Sequence, residues 1–350
     1  MNLLKRNLHP RRMPSFLRWL IPLAVMLILI FLNIFHGSLF LSIPETAQAL
    51  FCPSEASEVA RFVVWQSRVP ALLTALLAGG ALAVSGLVMQ TVFANPLADP
   101  SILGVNAGAS LGAALALLLL GGSLGTTLFT LSGFLLTVSL AFIGAMCVIG
   151  LLLLFSSLLR SNLLLLITGV MLSFGTGSLV SLLSFFSTEQ GVHNYVLWGM
   201  GDFNAVGFER LPLLAFVLIP TVGLILLLSK PLDALLLGSD YALNLGFRVQ
   251  RIRTWLLLLT GILTAVVTAL CGPISFIGLA VPHVARLIHR TSSHLTLLPA
   301  TLLWGGGVAL FCHFISRLPA DGTTLPLGAI TPLLGVPIVL GLLFRRGEGL

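Results

Sequence analysis

Long apolar runs separated by short charged stretches dominate this chain. Charged residues bound eight uncharged windows, at residues 19–44, 69–98, 100–159, 161–188, 211–229, 254–285, 291–316 and 322–344. A helix needs about 20 apolar residues to cross a bilayer, so window 100–159 predicts two spans that turn at residues 121–123. Window 254–285 divides at Gly272-Pro273. The pattern predicts an all-α integral membrane protein with about ten transmembrane helices in one domain, residues 1–350.

The windows also predict where individual helices begin and end. Residues 276–289 form a segment too short to span alone, which neighbouring helices must shield, with residues 273–275 as an extended lead-in. A short surface helix is predicted at residues 46–50. The other predicted spans run over about residues 20–40, 69–92, 128–155, 163–186, 254–271, 295–315 and 327–344.

Composition and charge agree with a membrane protein. Only 8% of residues are charged, against about 25% in a soluble domain. With the N-terminus inside, fourteen of the eighteen Lys and Arg residues fall on the cytoplasmic side, as the positive-inside rule requires. We therefore expect a cytoplasmic tail at residues 1–18, an uncleaved first span and both termini in the cytoplasm. The four basic residues left outside are Arg61, Arg68, Arg210 and Arg317.

A polar, basic interruption at residues 229–253 stands out between two apolar runs. Pro231 suits the first turn of a helix and Gly246 suits the residue that ends one. Leucines recur at helical spacing between them, and a second short piece after Gly246 carries Arg248, Arg251 and Arg253. The pattern predicts two short amphipathic helices about Gly246. They are either a docking surface for a soluble partner or a solvated loop.

Small and breaking residues mark a second region. Two prolines exclude regular helix at residues 95–100, and span 69–92 is rich in small residues that include Gly86. Gly104, Gly108 and Gly112 then form a double GxxxG ridge. Small residues let helices approach closely in lipid, so we expect these four glycines to serve helix contacts rather than bind substrate.

Hydroxyl side chains and glycines share the span predicted at 163–186. Thr168, Ser173 and Thr176 lie there among Gly169, Gly175 and Gly177. This mixture suits a helix that faces a pathway. It is equally typical of hydroxyls that bond to their own helix, and the sequence leaves both readings open.

A weak internal echo relates residues 72–96 to residues 258–282 at an offset of 186. An odd number of predicted spans separates the two stretches, so they would be inverted repeats. Inverted repeats are a common transporter design.

The chemistry absent from the sequence also restricts its function. The only lysines are Lys5 and Lys230, and no GxxxxGK[ST], HExxH or paired-Cys motif occurs. We therefore expect no catalytic residue, no metal site and no cofactor in this chain. Asp99 is the only acid between Glu58 and Glu189. An ion-coupled secondary carrier, which usually places acids mid-span, is thereby disfavoured, and energy is expected to arrive through a partner.

Three stretches resemble the signatures of a known family. Residues 68–112 (RVPALLTALLAGG…GASLG), 272–288 (GPISFIGLAVPHVARLI) and 325–343 (LPLGAITPLLGVPIVLGLL) are similar to those of the FecCD permeases of ABC importers for iron-siderophores, haem and vitamin B12. The resemblance implies a bacterial inner-membrane homodimer with a central pathway and a periplasmic binding protein. It also implies two cytoplasmic ATPase subunits, which would use ATP and Mg.

The resemblance also assigns roles to residues. Arg68 and Arg317 match outer-face arginines that bind glutamates of the binding protein. Ser161 and Asn162 match the inner gate, with Thr168, Ser173 and Thr176 as gate or pathway residues. Residues 229–253 match the cytoplasmic coupling loop, whose ATPase-coupling residues would be Leu237, Gly238, Asp240, Ala242, Leu245, Gly246, Arg248 and Arg251.

The sequence departs from the family pattern at three outer positions. Ala71 replaces a second arginine, His313 an acid and Thr324 a glutamate, so docking is expected to depend on fewer charges. The predicted cargo is an iron chelate, either a siderophore or haem, with vitamin B12 (cobalamin) as the alternative. A membrane enzyme is disfavoured because the sequence has no catalytic cluster.

Overall fold

A computed structural model describes residues 14–120, 131–159, 161–319 and 323–347. Within these ranges the chain is helical and has no strand. Six helices are long and apolar enough to cross a membrane, one bent pair (Leu211–Leu227 with Ser229–Leu236) qualifies as a unit, and three apolar helices are shorter. Each predicted span thus coincides with a helix, although three are shorter than the roughly 20 residues that a bilayer requires.

The helices are numbered here in chain order. The first half contains α1 (Ser15–Phe35), α2 (Ile43–Phe51), α3 (Glu58–Phe62), α4 (Val69–Val92), α5 (Val105–Ala114), α6 (Leu131–Leu158) and α7 (Asn162–Phe186). The second half contains α8 (Glu189–Gly199), α9 (Leu211–Leu227), α10 (Ser229–Leu236), α11 (Ser239–Asn244), α12 (Val249–Cys271), α13 (Ile277–His289), α14 (His294–Ser316) and α15 (Leu327–Gly347). A π-helical segment at Val63–Arg68 joins α3 to α4, and another at Leu115–Leu120 continues α5.

Several predicted bounds are confirmed and others need correction. Helix α4 has the predicted bounds, and α7 and α14 agree within one residue at each end. Helix α1 begins five residues before its predicted start and ends five residues before its predicted end, where His36 adopts extended backbone geometry. Helix α12 begins five residues early, since arginines are tolerated at a surface-exposed helix start. The turn predicted at residues 121–123 and the predicted start of the following span lie outside the described residues.

Helix α4 is the hub of the molecule. It contacts α1, α9, α12, α13 and α14, and almost all of its residues are buried. A Cβ atom at Gly86 would lie 1.8 Å from the carbonyl oxygen of Gly278, and one at Gly79 2.5 Å from that of Gly305. Helices α13 and α14 therefore approach α4 with backbone against backbone, which is possible only with glycine at these positions.

Helices α5, α6 and α7 form a second layer beside α12. A Cβ at Gly108 would lie 2.5 Å from the Gly144 carbonyl oxygen, and one at Gly112 1.9 Å from that of Leu140. Gly104 precedes α5 with a left-handed φ of 91° and faces α7. The GxxxG ridge thus faces α6, and its first glycine also makes the turn that starts α5.

The turn at residues 95–100 is irregular, as predicted, and is bound to α13. Pro96 accepts a 3.1 Å contact from His283, and Arg286 donates to Gln90 Oε1 at 2.6 Å. Helix α13 itself packs against α4, α14 and α15, which provides the predicted shielding. The stretches of the internal echo fall on α4 and on α12 with α13, which pack against each other.

The two outer segments contain more helix than the sequence predicted. The short surface helix is confirmed as α2, where Ser42 and Glu45 form a reciprocal capping box. In the segment before α9, residues 187–210, the sequence predicted no helix. This segment contains helix α8, which Thr188 caps by accepting a hydrogen bond from the Gly191 amide.

Candidate functional site

The polar interruption folds into two short helices, but its hinge differs from the predicted one. Helices α10 and α11 are separated at Gly238, whose φ is 114°, and Gly246, with a φ of 82°, ends α11. The expected second helix after Gly246 does not exist as a separate element. Arg251 and Arg253 lie in the first turns of the long helix α12 instead. Gly238 is therefore the hinge, because only glycine adopts its backbone conformation without strain.

The two faces of the predicted coupling loop, residues 229–253, differ sharply. Leu232, Leu235 and Ala242 are buried against the helices above. Five large apolar side chains on the other face are roughly half exposed or more: Leu236, Leu237, Tyr241, Leu243 and Leu245. Asp240, Arg248 and Arg251 are exposed beside them. An apolar patch with charged neighbours is typical of a protein-binding surface.

The sequence analysis missed three members of this patch, Leu236, Tyr241 and Leu243. It placed Leu236 and Leu243 among the leucines of one helix between Pro231 and Gly246. The positive-φ break at Gly238 divides that helix in two, and after the break Tyr241 and Leu243 are exposed while Ala242 is buried. The glycine was visible in the sequence, but its conformation was not.

A cleft of about 600 Å³ brings together three features that the sequence presents separately. Its walls come from the turn after α4, from the start of α7, from the start of α11 and from the first turns of α12. The lining includes Asn95, Pro96, Ser161, Ser239 and Arg253. The coupling loop, the predicted inner gate and the proline-rich turn therefore share one polar space.

Helix α7 is largely exposed, although Thr168, Ser173 and Thr176 are half-buried and Gly169 is buried against Leu103. Ser161 caps the helix by accepting a hydrogen bond from the Leu164 amide at 3.5 Å. Thr168, Ser173 and Thr176 donate to carbonyls of their own helix at 2.8–3.0 Å. The backbone of Asn162 begins α7, and its side chain lies outside the described residues. The hydroxyls thus bond to their own helix, as one of the two readings predicts. These bonds are also compatible with the other reading, in which α7 faces a pathway.

The two outer arginines are buried within the chain. Arg68 is 2% exposed and donates to the carbonyl oxygens of Ile34 and Leu39, both at 2.7 Å. Arg317 is 3% exposed and donates to Asn204 Oδ1. In this conformation neither guanidinium is accessible to a partner's carboxylate. Their docking role remains a prediction, and it requires rearrangement of the outer surface.

Burial also affects the charges around Arg317. Burial lowers the pKa of Arg317 to about 10, which nearby Asp202 partly opposes. Burial likewise raises the pKa of Asp202, while hydrogen bonds from Asn204 and the charge of Arg317 act against it. This outer cluster therefore holds its charges at a desolvation cost.

The positions that depart from the family pattern lie close to this cluster. Ala71 and His313 are fully buried, and His313 stacks edge-on against Phe203. Within the described ranges, no hydrogen-bond partner reaches either ring nitrogen of His313. Thr324 is exposed. Of the three positions only Thr324 is accessible from outside.

The described residues contain no group of three or more His, Cys, Asp or Glu side chains arranged to hold a metal ion. The candidate site is therefore a set of protein surfaces and a polar cleft.

Comparisons with known proteins agree on one family. Residues 25–345 match the FecCD transport family. The chain is 35% identical to the vitamin B12 import system permease protein BtuC of Klebsiella pneumoniae and 36% identical to that of Escherichia coli O6:H1. The first alignment covers 95% of both chains, and the second 95% of this chain and 96% of the relative.

A solved structure is similar in fold along nearly the whole chain. It is described as an inward-facing conformation of a protein assigned to the metal-chelate type of ABC transporters. The TM-score is 0.81 at 30% sequence identity, with 95% of this chain and 100% of the other covered. Sequence and fold thus point to the same class of membrane protein.

Proposed function

The chain belongs to the FecCD transport family and is the permease subunit of an ABC importer, and from this premise we propose that two copies face each other across helix α7. The pathway for the cargo lies between the copies. The exposure of α7 carries this proposal. Among the described residues nothing lies within 4 Å of a Cβ placed at Gly175 or Gly177, although small residues usually mark close helix contacts in membranes.

The hydroxyl side chains of α7 support the same arrangement. Thr168, Ser173 and Thr176 place polar atoms on a helix that is largely uncovered in one copy. Their protons bond to carbonyls of α7 itself, and acyl chains offer the remaining oxygen lone pairs no hydrogen-bond partner. A second copy and a hydrated pathway between the copies provide both close contact and water.

The energy source is a partner ATPase. Two cytoplasmic ATPase subunits bind the exposed apolar patch of the coupling loop and use ATP with Mg, because this chain has no phosphate-binding motif. The membrane is the bacterial inner membrane, with both termini in the cytoplasm. A periplasmic binding protein delivers the cargo to the opposite face.

The cargo is a large metal chelate. An iron chelate, siderophore or haem, and cobalamin fit a pathway of this kind, and the named relatives import vitamin B12. Uptake into proteoliposomes that contain this chain with its ATPase and binding protein distinguishes them, with ferrichrome, haemin and cyanocobalamin as probes. Uptake of one probe that requires ATP and resists a proton uncoupler is expected. Uptake that an uncoupler abolishes and ATP does not drive would identify a secondary carrier.

Disulfide cross-linking tests the dimer. Cys52 and Cys147, the exposed cysteines among the described residues, are replaced by serine, and Ser178→Cys is introduced on the open side of α7. Oxidation is expected to give a covalent dimer. Phe216→Cys on α9, which is 77% exposed, serves as the lipid-facing control. Equal cross-linking of both variants, or of neither, would refute the arrangement across α7.

A further inference from the structure

One buried histidine connects the coupling loop to the hub helix. Asp233 on α10 accepts hydrogen bonds at its Oδ1 from the backbone amide of His294 at 2.7 Å and from His294 Nδ1 at 2.6 Å. The other ring nitrogen, Nε2, lies 2.9 Å from Thr91 Oγ1 near the end of α4. A continuous chain of hydrogen bonds thus joins α10, the start of α14 and α4.

The protons along this chain of hydrogen bonds can be assigned from the donor and acceptor properties of its groups. An ionised carboxylate only accepts, so Nδ1 of His294 carries a proton and donates to Asp233. In a neutral imidazole Nε2 is then an acceptor and receives the hydroxyl proton of Thr91. The Thr91 hydroxyl also lies 3.1 Å from the Leu87 carbonyl, but it has one proton and can serve one acceptor at a time. The position of His294 therefore decides which bond Thr91 makes.

The connection is buried at its His294 and Thr91 end and partly exposed at its Asp233 end. His294 is 1% exposed and Thr91 3% exposed, while the Asp233 side chain is 39% exposed at the surface. Helix α10 rests on both α4 and α14. Beyond it, Gly238 has no neighbour within 4 Å of a Cβ position. The first coupling helix is thus bound to the core, and the hinge separates it from the second.

The far end of the chain of hydrogen bonds lies beside the cleft. Thr91 precedes the end of α4 by one residue, and the turn that follows contributes Asn95 and Pro96 to the cleft wall opposite Ser161. A displacement of α10 that moves His294 also moves the last turn of α4. That turn determines the position of one wall of the predicted inner gate.

We propose that Asp233, His294 and Thr91 are positioning residues that transmit displacement of coupling helix α10 to the turn after α4. The inference rests on the proposed function, since it requires an ATPase on the coupling loop. The Asp233–His294 half of this chain of hydrogen bonds also fits a simpler role. Asp233 accepting from the His294 amide, with Ser293 Oγ at 3.4 Å, would cap the start of α14 and need no contact with Thr91.

Two histidine variants separate these roles. In His294→Asn the amide nitrogen takes the place of Nδ1 and keeps the bond to Asp233, but the contact with Thr91 is lost. In His294→Gln the amide reaches the position of Nε2 and the side-chain bond to Asp233 is lost. Thr91→Val removes the hydroxyl alone. Thr264→Val is the matched control, because Thr264 is equally buried and bonds only to Thr260 of its own helix.

The measurement has two readouts. The first is substrate uptake per ATP hydrolysed in the complete reconstituted complex, with the probe that the uptake experiment selects. The second is nucleotide-dependent maleimide labelling of Leu97→Cys, in the turn after α4, after Cys52 and Cys147 are replaced. The second readout needs no cargo. Size-exclusion chromatography checks that each variant still binds the ATPase.

We expect His294→Asn, His294→Gln and Thr91→Val each to assemble, to hydrolyse ATP and to lose at least about fivefold in uptake per ATP, the lower end of typical coupling between sites. The nucleotide-dependent change in labelling should disappear in the same variants and persist in Thr264→Val. Parental coupling and labelling in His294→Asn and Thr91→Val would reduce the contact to a helix cap and overturn the proposal. The proposal would also be overturned if maleimide labelling of the parent protein did not change with nucleotide. Nucleotide-dependent labelling without ATP-driven uptake would instead count against the proposed function.

Discussion

Helices α4 and α7 are apolar spans of nearly equal length and similar residue types, yet they occupy opposite environments. Of the most apolar 18 residues in the span that contains α4, 83% are buried, against 11% in α7. Both helices carry glycines and hydroxyl residues. In α4 the glycines are matched by small residues on α13 and α14, and in α7 Gly175 and Gly177 meet open space among the described residues, whereas Gly169 packs against Leu103. Apolar character therefore places a helix in the membrane, and complementary neighbours decide whether it lies in the core.

The largest effect is expected from adding side-chain atoms to the hub. Gly86→Leu forces a Cβ to within 1.8 Å of the Gly278 carbonyl and should leave no monodisperse protein after detergent extraction. Gly108→Leu should fail in the same way on α5. Gly177→Leu on α7 should still be recovered as folded protein, because its site is open in one copy, but it should elute later than the parent, because the added side chain separates the two copies proposed to meet there. Size-exclusion profiles compare the three variants, and equal recovery of all of them would erase the contrast between core and exposed helices.

Gly246 separates the effect of space from the effect of backbone conformation. Among the described residues nothing lies within 4 Å of a Cβ placed there, but its φ is positive. Its φ of 82° excludes proline, which requires about −65°. We expect Gly246→Pro, and separately Asp240→Lys in the exposed patch, to insert normally and to lose transport through failed coupling to the ATPase. Gly246→Ala should cost only about 1–2 kcal/mol, the penalty for a left-handed L-residue. ATPase co-purification and uptake are the measurements, and parental values for both Gly246→Pro and Asp240→Lys would contradict the assignment.

The outer arginines test whether a buried charge contributes to stability or to docking. Arg68→Ala removes two buried hydrogen bonds from a charged group, each typically worth about 1.5–3 kcal/mol, so its melting temperature should fall clearly. Arg317→Ala should behave similarly. Arg61→Ala, at an exposed outer site, should stay within about 0.5 kcal/mol of the parent.

Affinity for the binding protein completes this test. Arg68→Glu and Arg317→Glu should weaken docking most at low ionic strength, and the loss should shrink as salt shortens the Debye length towards about 8 Å at physiological strength. Affinities equal to the parent's at low salt would mean that both arginines are purely structural.

The smallest effects are expected from single hydroxyls. Ser85 on α4 donates to the Thr260 carbonyl on α12 at 3.4 Å, so Ser85→Ala should cost at most about 0.5–1.5 kcal/mol. Thr176→Val on α7 breaks only bonds within its own helix and should leave the melting temperature unchanged. A larger thermal shift for Thr176→Val than for Ser85→Ala would reverse the ranking of the two helices.

The sequence alone determined the class of protein and most helix positions. Charged residues interrupt the apolar runs where helices leave the membrane, so α4, α7 and α14 could be located within a residue. The signature stretches predicted the family that the comparisons then confirmed. The position of the polar loop at residues 229–253 followed from its charge. These features are local, and residues close in sequence suffice to specify them.

The tertiary structure decided how those helices and side chains are used. It buried Arg68 and Arg317, placed the hinge at Gly238 and brought Asp233, His294 and Thr91 into one chain of hydrogen bonds. The last three residues span 203 positions of sequence, and no local pattern links them. In a membrane the apolar surroundings are nearly uniform, so hydrophobicity cannot distinguish a core helix from an exposed one. Close backbone contacts and buried hydrogen bonds make that distinction, and both exist only once the helices have assembled.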